Sequence, residues 1–270
     1  MRTTVQQENG FNLRADETPI LAGRAGTYHE TASICPLRDH FQCVWINAIH
    51  RDHVGPIAVV PDGCVDLVWW GDGIVVAGPD VSSAHSVPTP GTTLLGLRFQ
   101  PGAAAPWLGL PLSEIVGQQI DLGELWGRRA RDLTAMIEDA ATAADRLRVW
   151  QSQLLQLMPD QVPDGAMRAV FDAMKRGGTG PRKLRSIQDR LDLSERTLRR
   201  RCHDHFGYGP KTLDRILRFQ SVVRAARTGG ETSLSGLAFA AGYADQAHLS
   251  RDIRELSGMT AGALVRQLAP

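Results

Sequence analysis

The chain has 270 residues, of which 43% are hydrophobic and 22% charged, and its formal net charge is +1. This composition is typical of a globular protein long enough to bury a core in each of two domains. No apolar run approaches the roughly 18 residues needed to cross a bilayer, and the polar start lacks the apolar segment of a secretory signal. We therefore expect a cytoplasmic protein without a membrane partner.

The small net charge conceals an unequal distribution of charged residues. Residues 1–162 contain 11 Lys and Arg against 18 Asp and Glu, whereas residues 163–270 contain 19 against 11. A basic C-terminal part suits a polyanion such as DNA, and the acidic N-terminal part should add nothing to phosphate affinity.

The N-terminal part carries the pattern of a β-rich domain. Between residues 28 and 99, Gly, Pro and Asp separate the short apolar runs CVWINAI, IAVV, CVDLVWW, IVVAG and TLLGLRF. Such runs predict β-strands with tight connections, and hence a sandwich or a small barrel.

After Pro101 the pattern becomes helical. It is loose in LPLSEIVGQQ and clear in ELWGRRARDLTAMIEDA and TAADRLRVWQSQLLQLM. The last of these segments has one apolar face, formed by Leu147, Trp150, Leu154, Leu157 and Met158. That face packs either on the β domain or against a second subunit, and the sequence leaves both open.

Five residues of the β-rich part are candidates for binding a small ligand: Asp62, Asp66, Trp69, Trp70 and Arg98. The two adjacent tryptophans should face opposite sides of a strand, one in the core and the other exposed or facing a pocket. The spacing of His50 and His53 differs from the His-x-His of a metal-binding cupin, so we expect no metal.

Catalytic chemistry has no candidate residues. The cysteines Cys35, Cys43, Cys64 and Cys202 lack the spacing of a disulfide framework or a redox pair. Cys35, Cys43 and Cys64 also lack the adjacent histidine that would activate a nucleophile. We interpret them as small buried residues. No phosphate-binding, hydrolase or dinucleotide motif occurs either. We expect neither an enzyme nor a cofactor.

The C-terminal part contains an internal repeat with a separation of 51 residues. Ser194 corresponds to Asp245, Arg200 to Arg251 and Gly207 to Gly258, and the apolar positions between them also correspond. Two copies of one small helical unit are implied.

Each copy predicts a short supporting helix, a turn and a capped second helix. In the first copy Ser194 caps the second helix and Gly207 ends it, and in the second copy Asp245 is the cap. The inward positions are Leu198, Cys202 and Phe206 in the first copy and Leu249, Ile253 and Leu256 in the second. This is a helix-turn-helix arrangement, whose second helix enters the major groove of DNA.

The second copy resembles the signature of the AraC/XylS family of transcription regulators. The matching positions are Gly242, Tyr243, Asp245, Gln246, His248, Leu249, Arg251, Arg254, Gly258 and Thr260. The first copy, SERTLRRRCHDHFGYGPKTL, resembles the first helix-turn-helix of the same family. Ile253 and Ala261 depart from the usual Phe and Pro, which concerns packing and a helix start.

The resemblance implies a role for each exposed position. Residues 211–229 would form the helix that joins the two units, and the two recognition helices would enter successive major grooves. The implied DNA-binding residues are Arg196, Arg199 and Arg200 in the first unit and Gln246, Ala247, Ser250, Arg251 and Arg254 in the second. For Arg251 an alternative is an ion pair with Asp245 or Glu255.

The stretches PDGCVDLVW and GLRFQPGAA are similar to an N-terminal domain that accompanies AraC-type modules in many bacterial regulators and has no assigned ligand. The fold expected is therefore α+β with two domains. A β-rich sensor or dimerisation domain, cupin-like or a sandwich, is expected at 1–125, followed by a helical linker at 126–162 and a double helix-turn-helix domain at 163–270.

The function expected is a DNA-binding transcription regulator that responds to an unidentified small-molecule effector. Double-stranded DNA is the expected partner, with RNA polymerase and a second copy of the chain as further candidates. Two alternatives remain open at this point: a DNA-binding module fused to an uncharacterised enzyme domain, and an architectural DNA-binding protein without a ligand.

Overall fold

The computed structural model describes residues 19–176, 181–229 and 233–269, so the expectation about the start of the chain lies outside the described residues. The strands are β1 (Ile20–Leu21), β2 (Gly26–Thr31), β3 (Phe41–Ile49), β4 (Ile57–Val59), β5 (Asp66–Trp69), β6 (Ile74–Ala77), β7 (Ala84–Ser86), β8 (Thr93–Phe99) and β9 (Gln119–Asp121). The helices are α1 (Ala104–Leu108), α2 (Leu122–Trp126), α3 (Arg128–Glu138), α4 (Ala143–Gln156), α5 (Gly165–Arg176), α6 (Pro181–Leu191), α7 (Glu195–Phe206), α8 (Pro210–Arg227), α9 (Leu234–Ala240), α10 (Gln246–Ser257) and α11 (Ala261–Leu268).

The strands form two sheets. The larger sheet has the order β2-β3-β8-β5-β6-β9 and is antiparallel throughout, and the smaller has the order β1-β4-β7 with β1 and β4 parallel. The five apolar runs predicted as strands appear as β3, β4, β5, β6 and β8. The segment at 110–119, expected to be loosely helical, instead forms a 3-10 turn at Leu112–Glu114 and the start of β9.

The two faces of the larger sheet serve different purposes. On β8, Leu95, Leu97 and Phe99 belong to a core under the helices, whereas Arg98 points to the opposite face. The same alternation separates Trp69, the last residue of β5, from Trp70, which follows it, as period-2 side-chain geometry requires. Trp69 is buried in the helix-covered core, and Trp70 lines a cavity on the other face.

Helices α3 and α4 cover the larger sheet. Leu147, Trp150 and Leu154 of α4 are buried in one core with residues of β5 and β8, so the apolar face of this helix packs on the β domain. The guanidinium of Arg146 lies 4.6 Å from the ring centroid of Trp69 and adds a cation–π contact. The segment expected as a helical linker therefore contributes directly to the core of the sheet.

The predicted single helix at 124–140 is broken in the structure. Gly127 has a φ of +57° between α2 and α3, a conformation that glycine adopts without steric cost. The expectation that all four cysteines are buried is also wrong, because Cys35 is exposed.

The C-terminal helices are assembled around α8. Its buried residues include Ile216, Phe219 and Val222, which share one core with α5, α7, α9, α10 and α11. None of the helices in the described part of the chain is long and apolar enough to cross a membrane.

An ion pair fixes α10 to α8. The Arg215 Nε lies 2.8 Å from the Asp252 Oδ1, and the same guanidinium also contacts Glu255. The two carboxylates differ in environment, since the Asp252 side chain is 9% exposed and the Glu255 side chain 63%. The pair with Asp252 is thus much better shielded from water and salt.

The β-rich part and the helical part pack closely together. The Gln220 side chain of α8 donates a hydrogen bond to the Pro61 carbonyl oxygen at 2.7 Å. At the end of α7, a Cβ on Gly207 would lie 2.7 Å from atoms of both Pro79 and Val116. Glycine is required there both by this approach and by a φ of +84°.

Gly96 is predicted to be intolerant of a side chain. A Cβ at this position would lie 2.1 Å from the Trp45 ring, and such overpacking should lower the free energy of unfolding of Gly96→Ala by about 1–3 kcal/mol or more. Urea denaturation measures this change. Gly73→Ala is the matched control, because a Cβ there meets no atom within 4 Å. Equal stability of the two variants would contradict the packing of Trp45 on β8.

The two carboxylates that contact Arg215 should contribute unequally to the free energy of unfolding. Asp252→Ala leaves the guanidinium without its shielded partner and should lower the free energy of unfolding by about 1–3 kcal/mol. Glu255→Ala removes an exposed pair and should cost at most about 1 kcal/mol. Chemical denaturation of both variants at low and high salt tests the ranking, and a reversed order would refute it.

Candidate DNA-binding surface and effector cavity

The second helix of each repeated unit starts and ends at the residues that the sequence indicates. The Ser194 Oγ accepts a hydrogen bond from the Thr197 amide at 3.1 Å, and the Asp245 Oδ1 accepts one from the His248 amide at 2.7 Å. These bonds satisfy amides that lack partners within the helix. Gly207 and Gly258 end the two helices in the left-handed conformation, which confirms the local predictions.

The inward and outward faces of α7 and α10 also follow the predicted pattern. The six residues predicted to face inward are all buried, at 1% exposure or less. On the outside, Arg196, Arg199, Arg200, Gln246, Ala247, Arg251 and Arg254 are exposed, and Ser250 is half-buried. The candidate DNA-binding residues therefore lie where a duplex could reach them.

The alternative role considered for Arg251 does not occur. Asp245 is used as the helix cap, and Glu255 contacts Arg215. Arg251 is exposed and has no ion pair within the described ranges. Arg201, by contrast, forms an ion pair with Asp164 just before α5. Its guanidinium is therefore engaged within the protein and is not a candidate for contact with DNA.

A cavity of about 330 Å³, which we call the inter-sheet cavity, lies between the larger and the smaller sheet. Both sheets contribute to its wall, for example through Asn47 of β3 and His85 of β7. The helical part contributes as well, because Gln220, Val223 and Arg227 of α8 line the same space. A cavity of this volume is within the range of small-molecule sites.

One guanidinium organises the charged wall of the cavity. The Arg98 Nε and Nη2 each lie 3.0 Å from an oxygen of Asp66, which forms a bidentate pair. The Asp62 and Glu30 carboxylates lie 3.3 and 3.6 Å from the same side chain. Burial raises the pKa of Asp66, and the charge and hydrogen bonds of Arg98 oppose this shift.

Asp80 lies on the same wall without such compensation. It is half-buried and forms no hydrogen bond or ion pair in the ranges that the structure describes. Burial raises the pKa of Asp80 from its ordinary value of 3.8 to about 7, and the neighbouring Asp62 and Asp66 add to the shift.

Four of the five ligand-binding candidates come together in this cavity. Asp62, Asp66, Trp70 and Arg98 line it, whereas Trp69 is buried in the opposite core. Glu30, Asn47 and Asp80 are among the polar residues of the wall that sequence reasoning missed. Glu30 lies on β2, a strand whose sequence contains no apolar run. Asn47 and Asp80 lie in sequence patterns that do not distinguish them from ordinary strand and turn residues.

Two regions of the chain match known families. Residues 187–267 match a family described as a helix-turn-helix domain. Residues 30–121 match a domain of unknown function, DUF6597. A comparison with curated proteins gave no significant match.

Several solved structures are similar to this chain at low sequence identity. A probable AraC family transcriptional regulator from Rhodopseudomonas palustris is 18% identical, covers 40% of this chain and 100% of its own, and has a TM-score of 0.35. ToxT from Vibrio cholerae is 10% identical, covers 83% of this chain and 98% of its own, and has a TM-score of 0.48. A structure of ToxT described as bound to an unsaturated fatty acid is 12% identical, covers 89% of this chain and 94% of its own, and has a TM-score of 0.43.

The matched regions and the geometry agree on the type of protein. The helix-turn-helix match includes both capped helices from Glu195 to Phe206 and from Gln246 to Ser257, and the DUF6597 match includes most of the larger sheet. The chain is therefore a DNA-binding transcription regulator with a DUF6597 domain in its N-terminal part and, at its C-terminal end, a helix-turn-helix domain whose sequence resembles that of the AraC/XylS family.

Proposed function

We propose that a small molecule in the inter-sheet cavity controls this DNA-binding regulator, and that α8 transmits its presence to the recognition helices α7 and α10. The observation that carries the proposal is the position of α8. Gln220, Val223 and Arg227 form part of the cavity wall, and Arg215 of the same helix holds Asp252 of α10. A ligand that contacts this wall therefore touches the scaffold of the DNA-binding surface.

A ligand can control DNA binding only if it binds two arrangements of the protein with different affinity. The contacts between the parts provide a basis for two arrangements. The Gln220 hydrogen bond to Pro61 connects α8 with the loop that carries Asp62, a residue of the charged wall. A ligand beside Asp62 would favour one position of that loop, and the loop would favour one position of α8.

The DNA contacts proposed are the eight residues inferred from the sequence. Arg199, Arg200 and Arg251 would donate hydrogen bonds to guanine or to phosphates, and Gln246 can pair with adenine. Ser194 and Asp245 begin helices whose free amides point outward, which suits nearby phosphates. We place the protein in the cytoplasm, with RNA polymerase and a second copy of the chain as further partners.

We also propose a revised division of the chain. Because α3 and α4 complete the core over the larger sheet, the sensor domain would extend to about residue 157. Helix α5 packs in the core of the DNA-binding domain through Met167, Val170 and Phe171, which favours a boundary between α4 and α5.

Substitution of the equivalent arginines of the two units tests the DNA-binding surface. Arg200→Ala and Arg251→Ala should each weaken binding to a duplex selected from random sequences by about 1–3 kcal/mol, because each removes a base or phosphate contact. Fluorescence anisotropy at fixed salt gives the affinities. Arg129→Ala, an exposed arginine on α3, is the control. If all three variants bind as the unmodified protein does, α7 and α10 are not the recognition helices.

Filling the cavity tests the effector proposal. A pooled small-molecule fraction from a bacterial extract should change the affinity for the selected duplex, and Ala84→Trp should abolish that response because the indole occupies the cavity. Basal DNA binding should persist in this variant. Ser82→Trp, an exposed position outside the cavity wall, should keep the response. An unaltered response in Ala84→Trp would locate the effector elsewhere.

A further inference from the structure

We propose that the inter-sheet cavity takes an organic cation, specifically a small molecule with a protonated amine and an apolar body. This inference rests on the proposed effector role of the cavity and specifies the chemical class of the ligand. It follows from the balance of charge on the wall, from an unsatisfied buried acceptor and from the aromatic residues around them.

The charged residues of the wall leave an excess of negative charge. Four carboxylates line the cavity, those of Glu30, Asp62, Asp66 and Asp80, against the two guanidinium groups of Arg98 and Arg227. Burial lowers the pKa of His85, which therefore contributes no positive charge at neutral pH. Formally two negative charges remain uncompensated. Because the pKa of Asp80 is raised to about 7, this carboxyl is only partly ionised at neutral pH in the empty cavity, and a ligand cation would stabilise its charged form.

The position of Arg98 makes a carboxylate ligand unfavourable. The guanidinium already donates hydrogen bonds to both oxygens of Asp66, and the carboxylates of Asp62 and Glu30 lie within 3.6 Å of it. An anion that approached Arg98 would have to displace one of these carboxylates and would meet repulsion from the others. Arg227 is the other cation of the wall and is exposed, so water and salt screen its attraction for an anion.

An independent feature of the wall calls for a hydrogen-bond donor. Asn47 of β3 is 6% exposed and lines the cavity, and its Oδ1 has no hydrogen-bond partner within the described residues. A buried acceptor without a donor is costly, and a ligand N–H group that reached this oxygen would remove the cost. An ammonium group supplies up to three such donors and no acceptor.

The remaining wall suits the body of such a ligand. Tyr28, Trp45 and Trp70 line the cavity together with aliphatic residues of both sheets. Tyr28 and Trp45 lie with ring centroids 5.9 Å apart. Aromatic faces attract cations as well as apolar groups, so these rings would support either end of an organic amine. Burial also raises the pKa of Asp80, as expected for a carboxylate whose countercharge is missing.

Binding of matched probes to the full-length protein tests the proposal. Tyramine, agmatine and spermidine are the cationic probes, and 4-hydroxyphenylacetate and palmitoleate are the anionic ones; tyramine and 4-hydroxyphenylacetate differ mainly in the charged group. We expect at least one amine to bind, measured by isothermal titration calorimetry and thermal shift, and neither anion to bind. Binding of an anion in preference to the amines, or of no amine in the set, would overturn the inference.

Substitutions in the wall provide the second measurement. Asp80→Asn and Asp62→Asn should each weaken amine binding about tenfold or more, because each removes a charged hydrogen-bond acceptor. Asp72→Asn, an exposed carboxylate of the same domain outside the cavity, is the matched control and should leave the affinity unchanged. Equal affinity of all three variants would show that the amine binds outside this wall, which also refutes the inference.

The affinity for the selected duplex separates this inference from the proposed function. If an amine binds in the cavity and DNA affinity stays the same, the ligand class is supported and the effector role fails. If an anion binds and changes DNA affinity, the effector role is supported and the cationic ligand is refuted.

Discussion

The arrangement of this protein depends on one helix, α8, which takes part in three packings at once. Its apolar residues form the centre of the helical core, Arg215 anchors α10 through Asp252, and Gln220, Val223 and Arg227 form part of the cavity wall. Close-packed interiors deform little, so a displacement of α8 at one of these packings would also change the other two. In the proposed regulation, a ligand on the cavity side of α8 would therefore act on the recognition helices.

The charged wall of the cavity illustrates a balance between burial and pairing. Placing carboxylates in a partly dehydrated space disfavours their charged form, and Arg98 offsets this penalty for the groups it contacts. Asp80 forms no ion pair with Arg98, so nothing offsets the cost of burying its charge, and its pKa is raised. A structural role alone would be served as well by an asparagine or an apolar residue, which would carry no such penalty. A carboxylate at this position is what a site for a cation requires.

Features determined by local sequence were predictable, and features that depend on distant residues were not. The caps Ser194 and Asp245, the terminal glycines and the inward faces follow from spacing within a dozen residues, and the structure reproduces them. The five apolar strands follow for the same reason. Strand β2 was missed because its residues are mostly exposed and polar, so it depends on pairing with β3. The sequence predicted only part of the cavity wall. Glu30, Asp80 and Gln220 were not predicted, because they come from separate parts of the chain that only the tertiary fold brings together.

The two recognition helices are attached to the β-rich part in different ways, and this difference gives the coupling a direction. The end of α7 abuts Pro79 and Val116 so closely that Gly207 has no room for a side chain, whereas Gly258 at the end of α10 makes only ordinary contact with Ser83. Helix α7 thus contacts the sensor domain directly, whereas α10 is connected to it through its neighbours: α8, by Arg215, and α11, whose Gln267 side chain hydrogen-bonds with Leu21 and Pro19. A shift of α8 would therefore move α10 relative to α7. Because both helices must meet the duplex at the same time, their relative position is the quantity through which a ligand in the cavity would control DNA affinity.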